Sequence, residues 1–210
     1  MRYADFGSGS GAVGCAVAAR LPHSRVTLID SDPQALRDAA ATLALPQNAN
    51  FADRVTIIPA DLGSRSAARQ AFGLVPEAFD HVLANPPFDA REHGRPSPVA
   101  RRATAHVMSA FLLADWSRTA AATLKHGGTL TMILRPNNLS ELIAAWAGRF
   151  SGPSIRPIHT KSGPATRILV RGRRGTREPL VMHPSLVLRE NGKEAELAER
   201  IATGDAVIEL

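Results

Sequence analysis

The segment Asp5-Phe6-Gly7-Ser8-Gly9-Ser10-Gly11 decides the fold, because it separates two stretches with different periodicities. The residues before it, Tyr3–Phe6, predict a strand, and the alanine-rich residues after it, Ala12–Ala19, predict a helix. Glycines between a strand and a helix let the backbone turn tightly and approach a ligand closely. The segment therefore predicts the first strand–loop–helix unit of an α/β fold, with a binding site at the loop.

Strands and helices alternate along the rest of the chain. Further strands are predicted near Val26–Asp30, Val55–Pro59, Phe79–Ala84, Thr129–Leu134, Ile155–His159 and Thr166–Arg171. Helical patterns lie near Pro33–Leu43, Ser64–Ala71, Ala105–Leu124 and Ser140–Phe150. Such alternation is typical of βαβ units and a parallel sheet. The last two strands are joined by Thr160–Ala165, which is too short for a helix, so they should form an antiparallel hairpin.

The predicted fold class is α/β, a Rossmann-like doubly wound sheet of seven strands, mostly parallel and with a C-terminal antiparallel hairpin. We expect one domain over residues 1–210. A short extension after about residue 175 holds a strand-like run near Leu186–Arg189 and a helical pattern near Glu194–Ile201. The sequence has no run of about 18 apolar residues and no signal-peptide pattern, so we predict no membrane span and a cytoplasmic location.

The composition is strongly basic. There are 25 Lys and Arg against 19 Asp and Glu, for a formal charge of +6, and only Lys125, Lys161 and Lys193 are lysines. Arginine suits phosphate, because its planar guanidinium donates two hydrogen bonds at once and stacks on bases. The balance favours a polyanionic partner, although an arginine-rich proteome would give the same charge. The single cysteine, Cys15, excludes an internal disulfide, and no metal site is predicted.

Two acids after the glycine segment complete a predicted cofactor site. Asp30, at the end of the second strand, can accept hydrogen bonds from both ribose hydroxyls of an adenosine-bearing cofactor. Asp61, at the end of the third strand, is placed to meet the adenine amine. The predicted cofactor-binding residues are Asp5, Phe6, Gly7, Ser8, Gly9, Gly11, Asp30, Ser31, Asp61, Leu62 and Asn85.

The glycine segment alone leaves the cofactor open. Gly9-Ser10-Gly11-Ala12-Val13-Gly14 is a literal G-x-G-x-x-G, which also fits a nicotinamide dinucleotide. Asp5 favours S-adenosylmethionine, because a carboxylate there repels a pyrophosphate but attracts the cationic methionyl amino group. A nicotinamide-dependent oxidoreductase remains the alternative from another class.

The element Asn85-Pro86-Pro87-Phe88 directly follows the predicted strand Phe79–Ala84. The two prolines fix φ and remove two backbone donors, which leaves carbonyl acceptors at the edge of the sheet. The Asn85 side-chain oxygen and the Pro86 carbonyl can accept both hydrogens of an exocyclic amine and direct its lone pair at the methyl donor. Phe88 offers a face for stacking of the target ring. Asn85, Pro86, Pro87 and Phe88 are the predicted catalytic residues.

Together these residues resemble the class I methyltransferases that act on amino groups. Similarity to the bacterial tRNA1(Val) adenine-37 N6-methyltransferase family runs from Ala4 to about Leu188. It rests on Asn85–Phe88 through Ser97-Pro98, Arg101–His106, Asp115-Trp116, Gly127–Leu130, Leu134–Pro136 and Pro164–Val170. The resemblance implies an S-adenosylmethionine-dependent enzyme that methylates N6 of an adenine in RNA, with tRNA as the expected RNA.

The chain departs from that family in two places. Members usually carry a small segment before the first strand that helps cover the cofactor, and here the strand begins almost at Met1. The start is therefore expected to be truncated or reduced, with weaker cofactor binding. Asp89 also follows Phe88 where a further aromatic residue is common, and a carboxylate there is unexpected near a polyanion.

Arginines around the catalytic element are the expected RNA contacts. The predicted nucleic-acid-binding residues are Arg91, Arg95, Arg101, Arg102 and Arg167. Arg171, Arg173, Arg174 and Arg177 would extend the basic surface at the terminal hairpin. His81, His93 and His106 have no partner at a telling spacing and are not expected to act as bases.

Three further alternatives remain at this level. One is methylation of guanine N2 in ribosomal RNA. Another is methylation of a protein glutamine amide, which also uses an Asn-Pro-Pro-aromatic loop but suits the basic charge less well. The third is an RNA-binding protein without catalysis, prompted by the short N-terminus. Cytosine methylation through a thiol is disfavoured, because Cys15 lies on the first helix and not in the catalytic loop.

Overall fold

The computed structural model describes residues 1–87, 98–160, 162–190 and 193–210, and only the backbone of residues 98–109, 190, 193 and 194. The strands are β1 (Arg2–Phe6), β2 (Arg25–Asp30), β3 (Val55–Pro59), β4 (Phe79–Ala84), β5 (Leu124–Leu134), β6 (Phe150–His159), β7 (Arg167–Arg174), β8 (Val181–Met182), β9 (Leu186–Val187), β10 (Arg189–Glu190) and β11 (Lys193–Glu194). The helices are α1 (Ala12–Arg20), α2 (Pro33–Leu43), α3 (Ala49–Ala52), α4 (Ser66–Ala71), α5 (Pro98–Thr123), α6 (Leu139–Trp146) and α7 (Glu196–Thr203).

A central sheet has the strand order β3-β2-β1-β4-β5-β7-β6-β8, with β9 also paired to β6. Strands β1 to β5 run parallel, and β7 is inserted antiparallel between β5 and β6. Phe6 of β1 pairs with Ile29 of β2 on one side and with Ala84 of β4 on the other. The loops after these three strands therefore leave side by side at the carboxyl edge, where open α/β sheets bind ligands.

Helices cover different strands on the two faces of the sheet. On the first face α5 and α6 pack on β4, β5 and β7 through Leu113, Ala120, Leu142 and Trp146. On the second face α1, α2 and α3 cover β2 and β3 through Cys15, Ala18, Ala39 and Phe51. Cys15 is buried in that second cluster, as expected for a small core residue.

The extension after residue 175 crosses the second face. Arg156 of β6 donates to the carbonyls of Pro184 (2.9 Å) and Glu209 (2.6 and 3.0 Å). Arg20, at the end of α1, donates to the carbonyls of Ile201 (2.9 Å) and Ala202 (3.1 Å) at the end of α7. The segment therefore runs from β6 to α1 and back, held at both places by arginines.

The predicted fold class is confirmed, including the antiparallel hairpin of β6 and β7. Two short strands, β8 and β9, extend the sheet beyond the predicted seven, because the outer edge of β6 offers unpaired backbone groups. Helix α5 begins at Pro98, earlier than predicted, with proline in the first turn where it is tolerated. Helix α6 ends at Trp146, short of Phe150, and Gly148 follows with φ of +72°. None of the helices in the described residues is long and apolar enough to cross a membrane.

Candidate active site

The glycine loop is fixed to the end of β2 by its own backbone. The amides of Gly7 and Ser8 both donate to the carbonyl of Ile29, at 2.9 and 3.0 Å. Gly7, Gly9 and Gly11 have φ values of +64°, +54° and +87°, in the left-handed region that favours glycine. A Cβ atom on Gly9 would have no neighbour within 4 Å in the described structure, so the loop faces open space at this point.

Asp30 holds the loops after β1 and β2 together. One carboxylate oxygen accepts a hydrogen bond from the amide of Gly9 (2.8 Å), and the other accepts from the amide of Asp32 (2.9 Å). Each carboxylate oxygen can accept a second hydrogen bond. The carboxylate can therefore bind ribose hydroxyls while it keeps its structural partners. Ser31 is exposed between Asp30 and Asp32.

Asp5 is a buried acid beneath the loop. Its side chain is 2% exposed, and Oδ2 accepts a hydrogen bond from the amide of Gly14 (2.8 Å) in α1. The pKa of Asp5 is raised to about 6, mainly by burial and to a smaller extent by the charge of Asp30, while the Gly14 hydrogen bond opposes the rise. A carboxylate in such a place is stabilised by an added positive charge. This is the property that the proposed contact with a methionyl ammonium group requires.

Asp61 lies at the opposite end of the cleft from the β1 loop. It is exposed, and it accepts hydrogen bonds from the amide of Gly63 (2.8 Å) and the hydroxyl of Ser64 (3.3 Å). Leu62 is buried in the core, and its carbonyl accepts a hydrogen bond from Thr119 of α5 (2.6 Å). The side chains of Leu62 and Phe6 are both buried, so these two residues can meet a cofactor only through their backbone.

Ser8 carries an orphaned polar atom in the glycine loop. Its side chain is 9% exposed, and Oγ has no hydrogen-bond partner within the described structure. Gly14 has no room for a side chain, because a Cβ atom there would lie 2.2 Å from Leu28. The Ser8 hydroxyl, the open space at Gly9 and the acids Asp5, Asp30 and Asp61 fit S-adenosylmethionine, which presents an ammonium group, two ribose hydroxyls and an adenine amine.

Asn85 directly follows β4 at the same edge. Phe6 pairs with Ala84, so Gly7 and Asn85 are the next residues along two neighbouring strands. Asn85 and Pro87 are exposed, and Pro86 is buried. Phe88, Arg91 and Arg95 lie outside the described residues, as do Asp89 and His93 and the side chains of Arg101, Arg102 and His106.

Arginines on β7 extend from this edge down the second face. Side chains alternate along a strand, so Arg167, Arg171 and Arg173 share one face, and Arg167 lies nearest the carboxyl edge of β5. Arg173 pairs with Glu178 (3.0 Å) and donates to the Gly127 carbonyl (2.9 Å). Burial, and then the charge of Arg173, lower the pKa of Arg171.

His81 is a structural residue. Its ring stacks on Tyr3 with centroids 4.8 Å apart, and Nδ1 lies 2.8 Å from the hydroxyl of Thr129. Burial lowers its pKa, which keeps the ring neutral. Among the described residues no group of three His, Cys, Asp or Glu side chains lies close enough together to hold a metal ion.

The strand order, the glycine loop and the acids after β2 and β3 define a class I S-adenosylmethionine-dependent methyltransferase. The family model described as the methyltransferase small domain matches residues 1–144. The chain belongs to the methyltransferase small domain family, and S-adenosylmethionine is its cofactor. The nicotinamide alternative is therefore set aside.

Three similar proteins carry different descriptions. A predicted O-methyltransferase from Agrobacterium tumefaciens superposes with a TM-score of 0.83 at 36% identity, over 99% of this chain and 90% of that one. TrmN from Thermus thermophilus superposes with a TM-score of 0.60 at 25% identity, over 83% of this chain and 44% of that one. A release factor glutamine methyltransferase from Rhodopirellula baltica is 36% identical over 85 residues. That match covers 40% of this chain and 25% of the relative's length.

The sequence did not single out the part of α5 that contacts the cleft. Besides Thr119, Asp115 of α5 lies near the β3 loop, because a Cβ atom on Gly63 would be 3.1 Å from its Oδ2. Arg118 pairs with Asp115 at 2.7 Å. The similarity at Asp115-Trp116 was a signal for this helix, but it gave no role for either residue.

Proposed function

We propose that the chain transfers the methyl group of S-adenosylmethionine to the exocyclic N6 of an adenine in RNA, with tRNA as the favoured RNA. The observation that carries the proposal is the position of Asn85 beside Gly7, at the end of neighbouring parallel strands. An amine bound by Asn85 would lie next to the loop that holds the methyl donor. Positioning of this kind supplies a large part of the rate of a two-substrate reaction.

In this proposal each residue binds one part of the two substrates. Asp5 and the glycine loop hold the methionyl part, with Ser8 donating or accepting through its free hydroxyl. Asp30 accepts from the ribose hydroxyls and Asp61 from the adenine amine of the cofactor. The bound cofactor supplies an electrophilic methyl group on a sulfonium.

Asn85 and Pro86 act on the acceptor. Their oxygens accept the two hydrogens of the target amine, which directs the nitrogen lone pair toward the methyl group. These hydrogen bonds strengthen as positive charge develops on the nitrogen, so they lower the barrier rather than only the Michaelis constant. The new N–C bond replaces the C–S bond, S-adenosylhomocysteine would leave, and the methylated nitrogen then loses one proton to water. Phe88 is proposed to stack on the target ring once the base has turned out of its helix.

The basic face supports RNA as the substrate. The formal charge is +6, and Arg167, Arg171 and Arg173 share one face that begins at the carboxyl edge. Phosphate contacts by arginine and lysine supply a large share of the affinity of nucleic-acid-binding proteins. Arg91, Arg95, Arg101 and Arg102 are proposed as further contacts around the target base.

A protein glutamine amide is the second candidate, supported by the similarity to the release factor glutamine methyltransferase. Its amide nitrogen also presents two hydrogens, so Asn85 and Pro86 suit both acceptors. The description of the Agrobacterium relative suggests a hydroxyl acceptor instead. A hydroxyl must lose its proton as the methyl group arrives, and the segment Asn85–Pro87 carries no base.

The experiment is a competition between acceptors. The protein is incubated with methyl-labelled S-adenosylmethionine and equal masses of unmodified tRNA, unmodified ribosomal RNA and unmethylated release factor, and the label in each is counted. We expect the label in the tRNA. Label in the release factor would reject the RNA substrate in favour of the glutamine amide.

A further inference from the structure

Gly7 and Trp116 are in direct contact where β1 ends. A Cβ atom built on Gly7 would lie 2.3 Å from Cη2 of Trp116, 3.1 Å from Cζ2 and 3.2 Å from Cζ3. Three carbons of the indole ring therefore occupy the place that a side chain at position 7 would need. Glycine is required at position 7 for two reasons. Its φ of +64° lies in the left-handed region, and any side chain there would clash with this ring.

The same turn of α5 also reaches the loop after β3. Thr119, three residues after Trp116, donates its hydroxyl to the carbonyl of Leu62 at 2.6 Å, and this hydrogen bond is buried. Residues three apart lie on the same side of a helix. One turn of α5 thus contacts the loops at both ends of the cofactor cleft, after β1 and after β3.

We propose that Trp116 is a positioning residue for methyl transfer. Its indole supports Gly7, and with it the methionyl part of the cofactor, at a fixed distance from Asn85. The inference rests on the proposed function, because it takes Asn85 as the residue that binds the acceptor amine. It does not depend on whether that amine belongs to RNA or to protein.

The geometry explains why one ring can matter for the rate. Phe6 and Ala84 are paired, and Gly7 and Asn85 are the residues that follow them. A shift of Gly7 would therefore directly change the distance between the methyl donor and the methyl acceptor. A misplacement of about 1 Å can lower the rate of such a reaction by about 100-fold. The support under Gly7 is a single rigid ring, which limits such shifts.

Trp146, the second of the two tryptophans in the chain, has a different role. It is 1% exposed, donates from Nε1 to Ser117 (3.1 Å) and packs on Phe150 with ring centroids 5.2 Å apart. A Cβ atom on Gly172 of β7 would lie 2.5 Å from its ring. Its contacts are with α5, β6 and β7, so Trp146 is the matched control for a purely structural tryptophan.

Single-tryptophan variants test the placement without any methyl acceptor. In W146F the fluorescence comes from Trp116 alone, and we expect titration with S-adenosylhomocysteine to change its intensity or wavelength. In W116F the remaining Trp146 emission should stay constant while calorimetry records binding. An unchanged emission of W146F during binding that calorimetry detects would overturn the proposal. If W146F does not fold, the wild-type emission minus that of W116F gives the same signal.

Kinetics of W116A and W116F test the consequence. With an acceptor that the wild-type protein methylates, kcat of W116A should fall by about 100-fold, with a much smaller change in the dissociation constant of S-adenosylhomocysteine. W116F should recover most of the rate, because a smaller ring still supports Gly7. Equal kcat values for W116A and the wild type would reject a positioning role. Failure of the wild type to methylate RNA would reject the proposed substrate and leave the fluorescence result unaffected.

Discussion

The two halves of the carboxyl edge are built in different ways. In the proposed cofactor half, the amide of Gly14 in α1 donates to the carboxylate of Asp5. The loop amides of Gly9 and Gly63 donate to the carboxylates of Asp30 and Asp61. In the acceptor half, the segment Asn85–Pro87 is stiffened by two proline rings and presents an exposed asparagine. The cofactor half is rigid because its polar groups bind one another. In the proposed acceptor half the stiffness comes from covalent rings, and its oxygens are the ones proposed to bind the substrate.

The substitution N85A should have the largest effect and should separate the two halves. We expect kcat to fall by about 100- to 1,000-fold, since a hydrogen bond that strengthens in the transition state is lost. Calorimetry should find a far smaller change in the affinity for S-adenosylhomocysteine, because Asp5, Asp30 and Asp61 are intact. N50A, on the exposed surface of α3, is the control. Activity of N85A close to wild type would mean that the acceptor is held elsewhere.

The substitution D5N tests the charge beneath the glycine loop. Burial raises the pKa of Asp5 from 3.8 to about 6, so the unfolded chain releases this proton at lower pH than the folded chain does. Stability in the absence of cofactor therefore falls as the pH rises from about 4 to about 6. At pH 8 D5N should be more stable than the wild type by about 1–3 kcal/mol.

Urea denaturation of the cofactor-free protein at several pH values measures this difference. The gain should shrink as the pH is lowered toward 4, where Asp5 becomes protonated in both states. Binding of S-adenosylhomocysteine should weaken in D5N, because the ammonium group loses its partner. A pH-independent difference in stability between the two proteins would contradict the raised pKa of Asp5. Unchanged affinity for S-adenosylhomocysteine would remove Asp5 from the cofactor site.

The substitution D30A should weaken the cofactor half alone. It removes the acceptor for the amides of Gly9 and Asp32 together with the predicted ribose contact. We expect a loss of about 1.5–3 kcal/mol in affinity for S-adenosylhomocysteine, typical of hydrogen bonds to a charged group. Calorimetry with D38A, an exposed acid on α2, provides the comparison. Equal affinities for the two variants would contradict the ribose contact.

The substitution R167A should have the smallest effect and should act on the acceptor half. Loss of one phosphate contact lowers the slope of log affinity against log salt by about 1. Filter binding of tRNA at several salt concentrations measures the slope. R37A, exposed on α2, which packs beside β2 and β3 and not beside β7, should keep the wild-type slope. The same slope for R167A and the wild type would exclude Arg167 from the RNA surface.

Local sequence predicted most of the fold and the class of cofactor. A strand, a glycine turn and a helix are encoded within a few residues, and so is the position of Asp30 after β2. Parallel pairing brings the strand ends to one edge, and the register of β1 and β4 then sets Asn85 beside Gly7. These residues come together through the regular topology of a parallel sheet, so the sequence pattern was sufficient to predict that they share one edge.

Contacts between distant residues were not predictable in the same way. Nothing local to Trp116 indicates that its ring lies under Gly7, because the two are brought together by the packing of a long helix on the sheet. The hydrogen bonds from Arg20 and Arg156 to the C-terminal extension likewise join residues that are far apart in the sequence. The identity of the methyl acceptor is also not predictable from local sequence patterns, since an RNA base and a glutamine amide would present the same two hydrogens to Asn85 and Pro86.

Nucleoside analysis of methylated RNA tests the central claim most directly. Unmodified tRNA is methylated by the wild-type protein, digested to nucleosides and examined by mass spectrometry against standards. We predict N6-methyladenosine, formed by the wild type and lost with N85A. N2-methylguanosine as the product, or a modification that N85A still forms, would contradict an adenine amine held at the end of β4.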